Sequence, residues 1–206
     1  MPISLLTIIL AATIIASLNG FSNRSLLERW VYIPYEVKHH RAYERMFTHM
    51  LIHADLMHLA FNMMSLYFLG SYLEYQLVSA YGSAGGEFHF AVIYLGGGLF
   101  STLIPYSRNH DNPGYRSLGA SGAVSSVIFA TIIWEPTLPL SIMFLPFAIP
   151  AYIFGPLYLA FEYWADRRGG SGIAHDAHIG GALFGIIYVL ITNIDKGKFF
   201  LQLLFG

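Results

Sequence analysis

Four polar residues set in apolar surroundings carry the chemistry this sequence can do: Ser121, His178, His58 and Asn62. Ionisable and strongly polar groups in apolar runs are costly, so each is a functional candidate. A serine hydroxyl is a weak nucleophile until a base takes its proton, and a neutral imidazole suits that task. The matching reaction is acyl transfer, whose tetrahedral intermediate carries an oxyanion that needs preorganised donors. His58, the Asn62 amide and the Ser121 backbone N–H are the candidates for that oxyanion hole. His58 and Asn62 stand at i and i+4, on one helix face. Gly119-Ala120-Ser121-Gly122 sets the serine between glycines at a helix start, where backbone N–H groups are free and the dipole favours negative charge. His178 precedes Gly181 and Gly185, spaced as in small-xxx-small packing faces. Two helices lined by Gly119, Gly122, Gly181 and Gly185 can approach closely enough to bring Ser121 and His178 into hydrogen-bond reach. Asp176, two residues before His178, does not share its face. No other carboxylate is placed by spacing to orient the base, so a Ser–His dyad is expected.

The same residues have blander readings. Gly-x-Ser-Gly in an apolar run serves as a helix-packing motif, His175 and His178 as caps or carbonyl partners, and Asn62 as interhelical glue. His49, His53 and His58 with His175 and His178 could ligate a metal. No His-Glu-x-x-His pair is present, so a zinc metalloprotease lacks its signature. His39-His40 and His49-x-x-x-His53 satisfy a histidine-box iron pattern weakly. Glu74, Glu135 and Glu162 are expected near the opposite helix ends, interfacial or bonded to loops.

The elements that must position these residues follow from composition. Of 206 residues, 55% are hydrophobic and 11% charged, against about 25% charged in a soluble domain. That excludes an ordinary soluble globule and a disordered chain. Charge-free windows cover 1–23, 56–73, 88–107, 117–134, 136–161 and 177–194, each near the roughly 20 residues of a membrane span. The expected fold is an all-α membrane protein: one domain over 1–206 with six transmembrane helices at about 3–18, 56–77, 88–104, 119–134, 141–164 and 174–194. Asn19-Gly20 reads as a helix stop, Gly82, Gly85 and Gly86 as a turn, Pro105 as a helix end. Pro146, Pro150 and Pro156 predict kinks in the fifth helix, and Arg167 to Gly172 a flexible connector. Residues 21–56 mix Trp30, Tyr32, Tyr35, Tyr43 and Phe47 with five basic residues, as an interfacial layer does. Helices two, four and six run the same way, so His58, Asn62, Ser121 and His178 meet at one depth. The net charge of −1 gives no case for nucleic acid, and the absence of cysteine excludes thiolate chemistry. The first apolar stretch lacks a positive n-region and a cleavage site and reads as a retained helix.

In these residues the chain resembles the rhomboid family of intramembrane serine proteases, over roughly residues 43–185. The blocks are Arg45-Met46-Phe47-Thr48-His49, then Met57-His58-Leu59-Ala60-Phe61-Asn62, Gly119-Ala120-Ser121-Gly122 and Ala177-His178-Ile179-Gly180-Gly181, with the histidine series 49, 53 and 58. The resemblance implies Ser121 as nucleophile, His178 as general base, and His58, Asn62 and the Ser121 N–H as oxyanion hole. It implies a membrane-embedded first loop over 21–56, and a mobile gate and cap in the fifth helix and residues 165–174. Substrates would be single-span membrane proteins, cut in the bilayer without a cofactor. Rivals are a rhomboid-like protein that binds client helices without cutting and a histidine-rich metal-dependent membrane enzyme. Many relatives carry an aromatic four residues after the nucleophile; here the position is Ser125. Nine of the eleven Lys and Arg lie on the active-site side, which by the positive-inside rule would face that side to the cytosol. The family orientation, active site outward, is the one expected. The lack of an Arg-rich leader suggests a bacterial cytoplasmic membrane.

Overall fold

A computed structural model of the chain describes residues 3–141, 147–170 and 172–206. The Ser4 hydroxyl accepts the Thr7 N–H at 3.2 Å and opens α1, Leu5–Ser22. The helix runs through the expected stop at Asn19-Gly20, because the Asn19 amide turns back onto the Ile15 carbonyl at 2.7 Å. Asn23 ends it instead and caps α2, Arg24–Trp30, through the Leu26 N–H. Then come α3, Pro34–His40, α4, Arg45–Thr48, and a 3-10 turn, His49–Leu51. This layer is folded rather than a plain loop. Arg45 donates to the Glu28 and Val31 carbonyls at 2.9 and 2.7 Å, and Tyr32 exchanges backbone hydrogen bonds with Ser117.

Asp55 caps α5, Leu56–Ala91, by accepting the His58 N–H at 2.8 Å. The helices expected at 56–77 and 88–104 meet here at a single break. Gly82 (φ 74°, ψ 171°) is the single non-helical residue in α5. The chain doubles back at that point: a side chain on Gly86 would run into the Val78 backbone, about 12 Å away in an unbroken helix. The turn expected at the glycine cluster is thus made at Gly82, in a backbone conformation that suits glycine. A π turn, Val92–Gly96, leads to α6, Gly97–Ser101, and α7, Leu103–Asn109. Pro105 sits in the first turn of α7, where the missing N–H breaks no bond, so it begins a helix instead of ending one.

At the centre is α8, Ser121–Trp134, with 12 of its 14 residues buried and packed by α5, α6 and α10, His175–Thr192. A side chain on Gly181 would run into the Gly122 carbonyl, and one on Gly185 into that of Ser126, so the two backbones touch. The expected fifth helix, 141–164, is corrected. Pro139–Ser141 and Ala148–Pro150 pair as antiparallel strands β1 and β2, and α9 spans Ala151–Arg168. Pro150 biases the residue before it to extended backbone, so the helix begins after it. Pro146 lies outside the described residues, and Pro156 is accommodated within α9. A helix not foreseen, α11, Ile194–Phe205, closes the chain, with Lys196 over the Trp134 ring.

The protein is predominantly helical. Among the described residues, three segments are long and apolar enough to cross a membrane: Leu5–Ser22, Leu56–Asn109 and His175–Thr192. Six charge-free windows do not map onto six such helices. The second and third fall in one run that doubles back, the fifth contains the paired strands β1 and β2, and α8 is only 14 residues long.

The α8–α10 contact makes a stability prediction. Gly181→Val forces the two backbones apart and should lower stability by about 1–3 kcal/mol, as overpacking does. Thermal unfolding in detergent reads this out, and an unchanged midpoint would show that the helices are not in backbone contact.

Candidate active site

The turn before α8 is held by the layer beneath it. The Gly119 N–H donates to the His49 carbonyl at 2.9 Å, and the Ala120 N–H to His53 Nε2 at 3.2 Å. With Nε2 accepting, the His53 proton belongs on Nδ1, which faces Ser17 Oγ at 2.9 Å. Ser17 passes its own proton to the Leu51 carbonyl at 2.9 Å. One chain of directed bonds thus runs from α1 through His53 to the residue before Ser121. His53 is 1% exposed; burial, with His58 beside it, pushes its imidazole down to about 3. His58 packs edge-on against His53 with centroids 4.9 Å apart. Gly119 has φ 116°, and a Cβ there would lie 2.6 Å from His58 Cε1, so only glycine fits both the turn and the ring.

Above this turn is a cavity of about 660 Å³, lined by His58, Asn62, Ser121 and His178 with Tyr115, Leu118 and Ile173 among others. All four polar residues singled out by type and spacing therefore face one space. Ser121 is the first residue of α8, where backbone N–H groups lack helical partners. Asn62 spends one amide N–H on the His58 carbonyl at 2.9 Å, which leaves a second for the cavity. His178 lies in the first turn of α10. Gly181 and Gly185 face the α8 backbone, while Gly122 also meets the Ser101 side chain. Together the arrangement offers a hydroxyl, an imidazole and amide donors around one space, the set that acyl transfer uses.

One residue departs from the sequence reading. Glu162 does not lie at the far helix end but near the C-terminal end of α9, buried against α10. Its Oε2 is 2.6 Å from His175 Nδ1, and its Oε1 is 3.1 Å from His178 Nδ1. The expectation that no carboxylate is placed beside His178 is therefore corrected. No local spacing links positions 162 and 178; the one signal was that His175 and His178, at i and i+3, point two imidazoles the same way. Glu74 accepts the Leu6 N–H at 3.0 Å and so tethers α1 to α5. Glu135 takes the Thr137 hydroxyl at 2.7 Å. At the position where an aromatic was expected, Ser125 Oγ faces the Tyr158 hydroxyl of α9 at 3.4 Å.

Among the described residues, Glu162, His175 and His178 form the one group able to offer a metal three ligand atoms, all within 4.8 Å of one another. The histidine-box residues do not assemble. His39 pairs with Asp111 and His40 with Glu36, while His49 and His53 are buried in the layer under the turn.

Residues 40–193 match the Rhomboid domain family. The chain is similar to the presenilin-associated rhomboid-like protein, mitochondrial, of Bos taurus and of Homo sapiens. It is 34% identical to each over 139 residues, which is 66% of this chain and 35% of each relative. It is also similar to RHOMBOID-like protein 12, mitochondrial, of Arabidopsis thaliana, at 28% identity over 155 residues, 71% of this chain and 45% of that protein. The matched part is thus less than half the length of these relatives. Their mitochondrial names overturn the expectation of a bacterial cytoplasmic membrane.

His53 makes stability depend on pH. The unfolded chain takes up a proton near the ordinary imidazole value of about 6.5, whereas the folded protein keeps this ring neutral to about 3. The unfolded state then binds more protons below about 6.5, so stability falls with pH from there downward. Thermal midpoints in detergent at about pH 7 and pH 5 should show that fall. His53→Gln, whose amide oxygen can still accept the Ala120 N–H, should lessen it; an equal fall in both proteins would refute the assignment.

Proposed function

Because the chain belongs to the rhomboid family, we propose that it is an intramembrane serine endopeptidase with Ser121 as nucleophile and His178 as general base. The observation that carries the reading is the single cavity shared by Ser121, His178, His58 and Asn62, from three different helices. Ser121 Oγ attacks the scissile carbonyl carbon while its proton passes to His178 Nε2. The oxyanion so formed is held by the Ser121 N–H, the Asn62 amide and His58. Collapse breaks the C–N bond, and His178 returns the proton to the leaving amine. Water, activated by the same imidazole, then hydrolyses the acyl-serine and frees Ser121. Every proton is accounted for by one imidazole, and no cofactor enters.

The apolar segments around the cavity fit a bilayer setting, with the 56–109 run counted as two passes and α8 and α9 as further passes, six in all. Substrates in this reading are single-span membrane proteins whose helix opens beside the cavity. The mitochondrial relatives make a mitochondrial membrane the first compartment in which to seek them. A metal-dependent reading also has an observation behind it, the trio Glu162, His175 and His178. It uses the same histidine, so chelation separates the two.

In proteoliposomes with fluorescent single-span substrates, Ser121→Ala and His178→Ala should each lower turnover by about 10³-fold or more. Asn62→Ala should lower kcat by about 10²-fold, as the loss of one oxyanion donor does. A fluorophosphonate should label wild type and spare Ser121→Ala, and chelator should leave turnover unchanged. Cleavage that survives Ser121→Ala, or that chelator abolishes, would sink the serine mechanism.

A further inference from the structure

The acyl-transfer scheme leaves the buried carboxylate beside His178 without a role. Glu162 is 4% exposed, and a carboxylate that deep is destabilising by several kcal/mol unless it is paired and hydrogen-bonded. Its surroundings supply a partner. The His175 Nδ1–H donates to Oε2 at 2.6 Å. Oε1 is thereby aimed at His178 Nδ1, 3.1 Å away. That nitrogen is buried and has no well-aligned hydrogen bond among the described residues, so Glu162 is the acceptor standing ready for its N–H. A modest turn of the ring completes the bond.

We propose that Glu162 is a positioning residue for His178, which makes the site a Ser–His–Glu array with the acid supplied by α9 and steadied by His175. This inference rests on the protease reading. A neutral imidazole acts as base toward Ser121 only if its proton is on Nδ1, and a carboxylate at Nδ1 holds it there. When the Ser121 proton arrives at Nε2, the imidazolium faces a negative charge across its Nδ1–H bond. Glu162 itself takes no proton. When the proton leaves with the amine, the ring returns to its starting tautomer. His175 at Oε2 keeps the carboxylate from rotating away, so its place is one step further out.

The test reads the tautomer directly. In ¹⁵N-histidine-labelled protein in detergent at neutral pH, His178 should carry its proton on Nδ1. Glu162→Gln can donate its amide to Nδ1 and should move the proton to Nε2. It should lower kcat by about 10²-fold or more, with KM within about twofold of wild type. Glu162→Asp keeps the charge and should recover part of kcat. A wild-type ring protonated on Nε2 would overturn the inference even if Glu162→Gln fails to fold; so would a folded Glu162→Gln with wild-type kcat. If Ser121→Ala still cleaves, the protease reading itself has failed, whatever the tautomer. Stoichiometric metal in the purified protein, with activity lost on chelation, would assign the trio to an ion and overturn both.

Discussion

The backbones of α8 and α10 touch because neither Gly122 nor Gly181 has a side chain to hold them apart, and the candidate site exists only at that separation. Lipid tails offer helices no net hydrophobic drive to associate, so close packing of small residues must supply the attraction. Gly181 meets the Gly122 carbonyl and Gly185 meets that of Ser126. The contact is therefore made twice, about one turn apart, which sets the crossing as well as the distance. Ser121 opens one helix and His178 lies in the first turn of the other. Once the glycines meet, serine and imidazole come to one cavity with no loop needed to carry either.

The second constraint comes from below. A turn at φ 116° is held by nothing in its own sequence except glycine's tolerance for it. The His49 carbonyl and His53 Nε2 take the two N–H groups just ahead of Ser121. Ser17 and the Leu51 carbonyl leave His53 no choice of tautomer. The histidines at 49 and 53 thus act as scaffold, whereas His58, capped in place by Asp55 and faced by Gly119, is the one that reaches the cavity.

Much of this was legible because polar residues in apolar runs are rare enough to stand out. Ser121, His178, His58 and Asn62 needed only alternating helix directions to be placed together. The glycine spacing at 181 and 185 announced a packing face. Less legible was anything fixed by long-range geometry. Glu162 pairs with residues 13 and 16 positions away across a glycine-rich connector, and no periodicity joins them. Proline at 150 reads equally as a kink or a boundary, and only the strand pairing with Pro139 decides it. The turn read from the glycines at 82, 85 and 86 is made at Gly82 alone, a detail that composition does not resolve.

The burial of α8 bears on how deep the candidate serine lies. A membrane helix exposed to lipid tilts or shifts when the hydrocarbon thickness changes, because its own apolar length must match. At 14 residues α8 is about 21 Å long, too short to match a bilayer by itself, and it is almost wholly covered by protein. Its level is set by the grip of α5, α6 and α10. Thickness mismatch then falls on outer helices such as α1, which exposes much of its apolar surface. The serine keeps a constant depth relative to its neighbours whatever the lipid composition, and the immersion of the whole body takes up the difference.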